Sequence, residues 1–355
     1  MTEQNIIGWD IGGAHLKVAA LDRGLITDTR HYATPLWQGL PVLDQAIDSI
    51  RREYAPAAAT HVMTMTGELV DLFQSRSDGV EQIVEYVLAR NDSAANTYIY
   101  AGEHGFIRPH NIARHYLDIA SGNWHATASL LAQAMDSGYL VDIGTTTTDI
   151  IPFGQGRVAS DGYTDQQRLR TGELIYTGVV RTPVMAVVNK LRFQGQWQSV
   201  AAEYFACMAD VYRLTGDLPP QFDLLPAADG GARTAAGSRL RLARMLGTDV
   251  DAGVATADWT ALARFIADKQ YELIARGFER VLLRHKGTVQ PCVVAAGVGR
   301  FVIEKLAGRY GCKIIAFEDM LEPDKQHRPD ENNCAAAIAL ARLFHAGRTA
   351  VDTIQ

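Results

Sequence analysis

The segment Val141-Asp-Ile-Gly-Thr-Thr-Thr-Thr-Asp149 repeats the plan of one near the start of the chain, Ile7-Gly-Trp-Asp-Ile-Gly-Gly-Ala-His-Leu-Lys-Val18. Each is an apolar run, then Asp-Ile-Gly, then a turn of small residues, then a second stretch suited to a strand. A hairpin bent through Gly and Thr aims backbone N–H groups and hydroxyls at one point, which suits phosphate. The Asp at the end of the leading strand can hold a divalent cation against that phosphate. Asp10, Asp142 and Asp149 are therefore candidate metal ligands. Gly12, Gly13, Gly144, Thr145, Thr146, Thr147 and Thr148 are candidate phosphate donors, with Lys17 just beyond the first turn. One Asp-Ile-Gly means little. Two, each opening half of a chain, point to duplicated units.

The chain has 355 residues, more than one hydrophobic core usually organises, so two domains are expected. A formal net charge of −6 argues against broad binding to nucleic acid or anionic membranes, both of which need a basic face. No apolar run approaches the roughly 20 residues of a membrane span. A strand starts almost at once, without the basic and apolar regions of a signal peptide, so a cytoplasmic location is expected. Cys207, Cys292, Cys312 and Cys334 form no CxxC pair and read as reduced thiols. His104, His110, His115 and His125 follow no metal-ligand spacing and read as surface or supporting histidines.

Period-2 and period-3.6 patterns predict strands at 5–11, 15–22 and 25–34, a helix from Pro41 to Tyr54, a strand at 61–66, a helix near 79–90, a strand at 97–101 and a helix at 123–135. The second half opens likewise, with strands at 139–143, 147–152 and 156–160. A helical region is expected over 182–246, interrupted near Pro219, Pro220 and Pro226, with an exposed loop at 229–237. Further elements are a helix at 259–285, a strand at 291–296, a Gly297-Val-Gly299 turn, a helix at 300–310, a strand at 313–317 and a helix capped by Asp330 and ending at Gly347. The expected domains are 1–136 with the last helix, about 330–347, and 137–329 with a helical insertion over about 182–285.

A duplicated three-strand opening with Asp-Ile-Gly turns, followed by strand, Gly-x-Gly and helix, resembles the actin/sugar-kinase/Hsp70 superfamily. That resemblance implies an α/β fold of two ribonuclease-H-like domains with mixed sheets around a central cleft, residues 10–13 facing residues 142–149. Asp142-Ile-Gly-Thr-Thr-Thr-Thr-Asp149 resembles the hydantoinase A/oxoprolinase group. More specific are Trp9-Asp-Ile-Gly-Gly-Ala14, Ser121-Gly-Asn-Trp124, Gly172-Glu-Leu-Ile-Tyr-Thr-Gly-Val-Val-Arg-Thr-Pro183 and Met208-Ala-Asp-Val-Tyr-Arg213. These resemble the tetrahydromethanopterin-linked C1-transfer pathway proteins. An archaeal branch of that family joins an aminomethyl-furanmethanol diphosphate to the phenol oxygen of γ-glutamyltyramine, releasing pyrophosphate in methanofuran biosynthesis.

The resemblance implies a transferase dependent on Mg²⁺, because carboxylates alone would repel a diphosphate. Asp10, Asp142 and Glu173 form the candidate catalytic set, Glu173 being preferred over Asp165 and Asp210 as the base for the phenol. Asn123, Trp124, Tyr176, Arg181, Asp210, Tyr212 and Arg213 are candidate substrate contacts. Arg181 and Arg213 suit a glutamyl carboxylate, and the aromatic residues suit rings. Gly297 and Gly299 form a candidate nucleotide turn, although such a turn also serves packing alone. The partners are then small molecules, with no nucleic acid and no membrane; self-association is left open. Two alternatives stand beside this one: an ATP-driven kinase or amide-ring opener, and a nucleotide-switched scaffold without catalysis.

Overall fold

A computed structural model describes residues 5–54, 59–91, 94–251, 253–285, 291–321 and 332–354. The chain divides into two compact units, Met1–Leu140 with Ile151–Gln167 and Ile315–Gln355, and Val141–Ile150 with Arg168–Ile314.

In the first unit β1 (Ile6–Ile11), β2 (His15–Asp22) and β3 (Leu25–Ala33) form an antiparallel meander. Then come α1 (Asp44–Tyr54), β4 (Thr60–Met65), α2 (Arg76–Asn91), β5 (Thr97–Tyr100), β6 (Phe106–Ile107), α3 (Ile112–Ile119) and α4 (Asn123–Ala134). The sheet order is β3-β2-β1-β4-β5-β6, with β1, β4 and β5 parallel. All six residues of β1 are buried, as a central strand covered on both faces requires. Pro41 lies in a single 3₁₀ turn, Leu40–Leu43, and α1 begins only at Asp44.

The second half continues with β7 (Ser137–Ile143), β8 (Thr148–Gly154), β9 (Arg157–Val158), α5 (Asp165–Thr171) and β10 (Leu174–Ile175). After these come α6 (Val184–Val187), β11 (Lys190–Phe193), β12 (Gln196–Ser199), α7 (Met208–Thr215), α8 (Ala235–Met245) and α9 (Thr256–Arg284). The chain ends with β13 (Cys292–Ala296), α10 (Arg300–Tyr310), β14 (Lys313–Ala316) and α11 (Ala335–Ile354). The second sheet runs β10-β8-β7-β13-β14, with β9 also paired to β8. The single third strand expected at 156–160 is therefore shared between β9 and β10, two residues each, at opposite ends of β8.

The helical expectation for 182–246 fails at 190–199, where β11 and β12 form a hairpin. Its turn is Gln194-Gly195, both with positive φ (47° and 82°), the backbone that a two-residue hairpin demands. Leu191 and Phe193 are buried while Lys190 and Arg192 are exposed, so the period here is 2. Part of the expected loop at 229–237 belongs to α8, which Thr234 caps through Gly237 N–H. Asp330 lies outside the described residues, and α11 runs through Gly347. This last helix packs on β1 so closely that a Cβ on Gly8 would fall 2.0 Å from the Ala337 carbonyl oxygen. Among the described residues no helix is long and apolar enough to cross a membrane.

Candidate functional site

Both Asp-Ile-Gly turns close with the same hydrogen bond. Gly12 N–H donates to the His15 carbonyl and Gly144 N–H to the Thr147 carbonyl, each at 2.9 Å. Thr66 and Gly67 N–H then donate to the Ile11 carbonyl at 3.0 Å, and Gly299 N–H donates to the Ile143 carbonyl at 2.8 Å. The stretch Met65-Thr66-Gly67 at the end of β4 is thus the counterpart of Gly297-Val298-Gly299 after β13. Glu68 stands in the first unit where Arg300 stands in the second.

In the first unit Asp10 is 2% exposed near the carboxyl end of β1, the end of a parallel strand where α/β proteins place ligands. Its register partners are Lys17 on β2 and Thr64 on β4. Lys17 Nζ lies 3.7 Å from Asp10 Oδ2. Burial raises the Asp10 carboxyl above its ordinary range, while Lys17 and a hydrogen bond with Asn123 pull it back. Asp10 Oδ1 and Thr64 Oγ1 are buried without a hydrogen-bond partner in the protein. The start of α4 closes over these strand ends, because a Cβ on Gly122 would stand 3.6 Å from Thr64 Oγ1. Asp10, Lys17 and Asn123 are therefore brought together.

Trp124 is buried edge-on to Tyr163, ring centroids 5.7 Å apart. His125 is buried beside them with Nδ1 2.9 Å from Tyr100 Oη, so it supports this aromatic cluster and is not a surface histidine. His104 and His115 both approach the Asp118 carboxylate, at 3.5 and 3.2 Å. These three residues offer ligand atoms within 4.8 Å of one another.

In the second unit the threonine turn is built against the Gly172–Pro183 segment. Gly144 O accepts from Val179 N–H (3.1 Å), and Thr145 O accepts from Val180 and Arg181 N–H (3.2 and 2.8 Å). A Cβ on Gly178 would fall 2.4 Å from Thr146 N; only glycine lets the two backbones meet. Gln270 on α9 holds that loop, donating to Thr177 Oγ1 (2.7 Å) and the Gly178 carbonyl (2.8 Å) while accepting from Tyr212 Oη (2.7 Å). Gly297 lies beside Asp142, since a Cβ there would be 2.3 Å from Asp142 Oδ1. Asp142, Gly144–Thr147, the Arg181 backbone, Gly297 and Gly299 thus share one place. Asp149 pairs with the buried Arg168.

The remaining candidates lie elsewhere. Asp210 is fully buried and accepts from Arg213, Ser238 and Arg241, each at 2.8 Å. Arg213 also grips Asp223 through Nε and Nη2, at 2.9 and 2.7 Å. These charges are committed to one another. Glu173 is buried, with Oε2 accepting from the Thr171 hydroxyl at 2.8 Å. Tyr176 is 55% exposed.

The hydantoinase/oxoprolinase family model matches residues 59–323, well over half of the chain. The chain belongs to the hydantoinase/oxoprolinase family. Within and around this family, a protein of Methanocaldococcus jannaschii is 30% identical over 322 residues, covering 90% of this chain and 93% of that one. It is named (4-{4-[2-(γ-L-glutamylamino)ethyl]phenoxymethyl}furan-2-yl)methanamine synthase. A Methanococcus vannielii protein of the same name is 34% identical over 125 residues, 35% of this chain and 56% of that one. Among solved structures, a nucleotide-free acetone carboxylase aligns with a TM-score of 0.55 at 11% identity, over 96% of this chain and 70% of that one. That likeness shows the actin-like fold of this hydantoinase/oxoprolinase member and nothing about its substrate.

Proposed function

We propose that this chain is a transferase of methanofuran-type cofactor biosynthesis. It joins an aminomethyl-furanmethanol diphosphate to the phenol oxygen of γ-glutamyltyramine, or a related tyramine acceptor, and releases pyrophosphate. The observation that carries this is the similarity, over nine-tenths of the chain, to a protein whose named product is a phenoxymethyl-furan ether. Forming that ether requires a leaving group on the furan methylene.

The second-unit turn supports a diphosphate in that role. Thr145–Thr147 concentrate hydroxyl donors at one bend, and donors placed in advance stabilise charge that grows on a leaving group. Asp142, at the end of β7 beside Gly297, is the carboxylate that would hold Mg²⁺. Bound Mg²⁺ would offset the diphosphate charge. Asp142 would hold the cation, and the threonine turn would donate to the phosphate oxygens. In the first unit burial raises the Asp10 carboxyl, Lys17 opposes that rise, and Asn123 hydrogen-bonds the carboxylate. Asp149, paired with Arg168, is the least available of the three carboxylates.

The test incubates the full chain with Mg²⁺, furan diphosphate and γ-glutamyltyramine and reads products by mass spectrometry. The ether and pyrophosphate are expected, and EDTA should abolish both. Asp142→Asn should cost at least on the order of 100-fold in rate, whereas the exposed Asp48→Asn should change nothing. Full activity in EDTA sinks the metal–diphosphate mechanism. Tight ATP binding with hydrolysis, and no binding of pyrophosphate, makes the chain an ATP-driven enzyme instead.

A further inference from the structure

A phenol ionises near pH 10, about three units above neutrality, so its attack needs a base. Glu68 is 1% exposed on the turn after β4. A Cβ on Gly79 would lie 2.5 Å from the Glu68 carbonyl oxygen, so α2 pins this turn at backbone distance. Ser121 Oγ stands 2.9 Å from Glu68 Oε1 and 3.1 Å from Asp165 Oδ2. Asp165 Oδ2 also accepts from Arg76 Nη2 at 2.5 Å. Ser121 itself adopts the left-handed backbone, φ 53°, a strained state for serine of the kind that gathers at functional sites.

A serine hydroxyl has one proton. With both carboxylates ionised, Ser121 satisfies one of them and leaves the other short. With a proton on Glu68 Oε2, Glu68 carries no charge to satisfy, and Ser121 is free to donate to Asp165, whose charge Arg76 balances. Of the two carboxyls, Glu68 is therefore the one arranged to take up and release a proton. Its second oxygen, Oε2, is buried without a partner in the protein, as are Thr64 Oγ1 and Asp10 Oδ1 on the neighbouring strand ends. Buried polar atoms are almost always paired. Three orphans at the ends of two parallel strands, beside the Ser121–Asn123 turn, mark a place made to meet a polar ligand.

We propose that Glu68 is the general base that takes the proton of the acceptor's phenolic hydroxyl, an assignment resting on the ether-forming reaction proposed above. The O–H proton passes to Glu68 Oε2, and an electron pair of the phenol oxygen forms the bond to the furan methylene carbon. The bond from that carbon to the diphosphate oxygen breaks, and its electron pair departs with pyrophosphate. Glu68 then returns the proton to solvent. Burial, foremost, raises Glu68 to about 7; Ser121 and Arg76 act against the rise and Asp165 adds to it. Its ionised form is thus present at neutral pH, where a base of such strength works best.

Pyrophosphate release by the full chain, measured against pH, tests this. Wild type should lose kcat/KM below about pH 7. Glu68→Gln should lose on the order of 10²–10⁴-fold at pH 7.5 together with that acid limb. It should also recover more rate than wild type does when the acceptor is a fluorinated tyramine with a more acidic phenol. If wild type makes the ether while Glu68→Gln keeps the acid limb and gains nothing from the acidic phenol, the base lies elsewhere and the reaction stands. If wild type makes no ether, the reaction falls and the assignment with it. Should Glu68→Gln fail to fold, Ser121→Ala reads the same chemistry. It removes a donor that favours the charged carboxylate, so the acid limb should move to higher pH, and an unmoved limb overturns the assignment.

Discussion

Replacing Glu68 by glutamine should stabilise the first unit increasingly as pH rises above 4.5, and in full above pH 7. The folded carboxyl titrates at about 7 against 4.5 for its ordinary value. Below pH 4.5 both folded and unfolded chains carry the proton, and burial costs nothing extra. Between those values the unfolded chain releases a proton that the folded chain retains, so stability falls as pH rises. Above pH 7 the loss is complete, about 3 kcal/mol for this displacement. Glutamine has the same shape and no charge. Glu68→Gln should therefore match wild type at pH 4.5 and exceed it by about 3 kcal/mol at pH 8. His31 and His61, whose burial lowers each to about 4, act in the opposite sense as pH rises. They are present in both proteins and cancel in the difference. Hydrogen exchange at amides of β1 and β4, corrected for intrinsic rates, reports the opening free energy of this unit. A difference that stays constant between pH 5 and 8, or that turns against the variant, refutes the reasoning.

Arg241→Met should destabilise the second unit by about 3–5 kcal/mol in urea unfolding, because it leaves the buried Asp210 charge short of its more enclosed arginine partner. An unchanged midpoint would show that Arg213 and Ser238 suffice. Gly178→Ala places a Cβ 2.4 Å from Thr146 N. It should cost about 1–3 kcal/mol of stability and weaken Mg²⁺–pyrophosphate binding in calorimetry; unaltered binding would separate the loop from the turn.

The duplicated hairpins were legible because an aspartate, a glycine and an apolar run are local features, and the same turn bond recurs in both. The β1, β2 and α10 boundaries followed from period alone. The β11–β12 hairpin was missed, since Gln194-Gly195 is a weak turn signal beside the surrounding apolar residues. Asp210 and Arg213 lie in a distinctive segment, yet their salt bridges to Arg241 and Asp223 depend on tertiary placement that no local pattern encodes. Gln270 was readable in hindsight. It interrupts the buried stripe Ile266, Ile274, Phe278 of α9 at four-residue spacing, and a polar residue in such a stripe needs a partner. Glu68 carried a subtler signal. The matching hydrogen bonds put it at the position of Arg300, one residue past the glycine N–H that donates to the isoleucine carbonyl of each Asp-Ile-Gly.

The close seat of α11 on β1 has a consequence for how the protein is made. The strand that carries Asp10 leaves the ribosome well before the helix that covers it. At about 5–20 residues per second, roughly 10–40 s separate the emergence of residue 140 from that of α11. During that interval one apolar face of the first sheet waits for its cover, while the residues of the second unit up to 314 are already available to pack. Clipping or mutating α11 would therefore act on yield and aggregation during synthesis before it acted on chemistry, although no residue of α11 belongs to the candidate site.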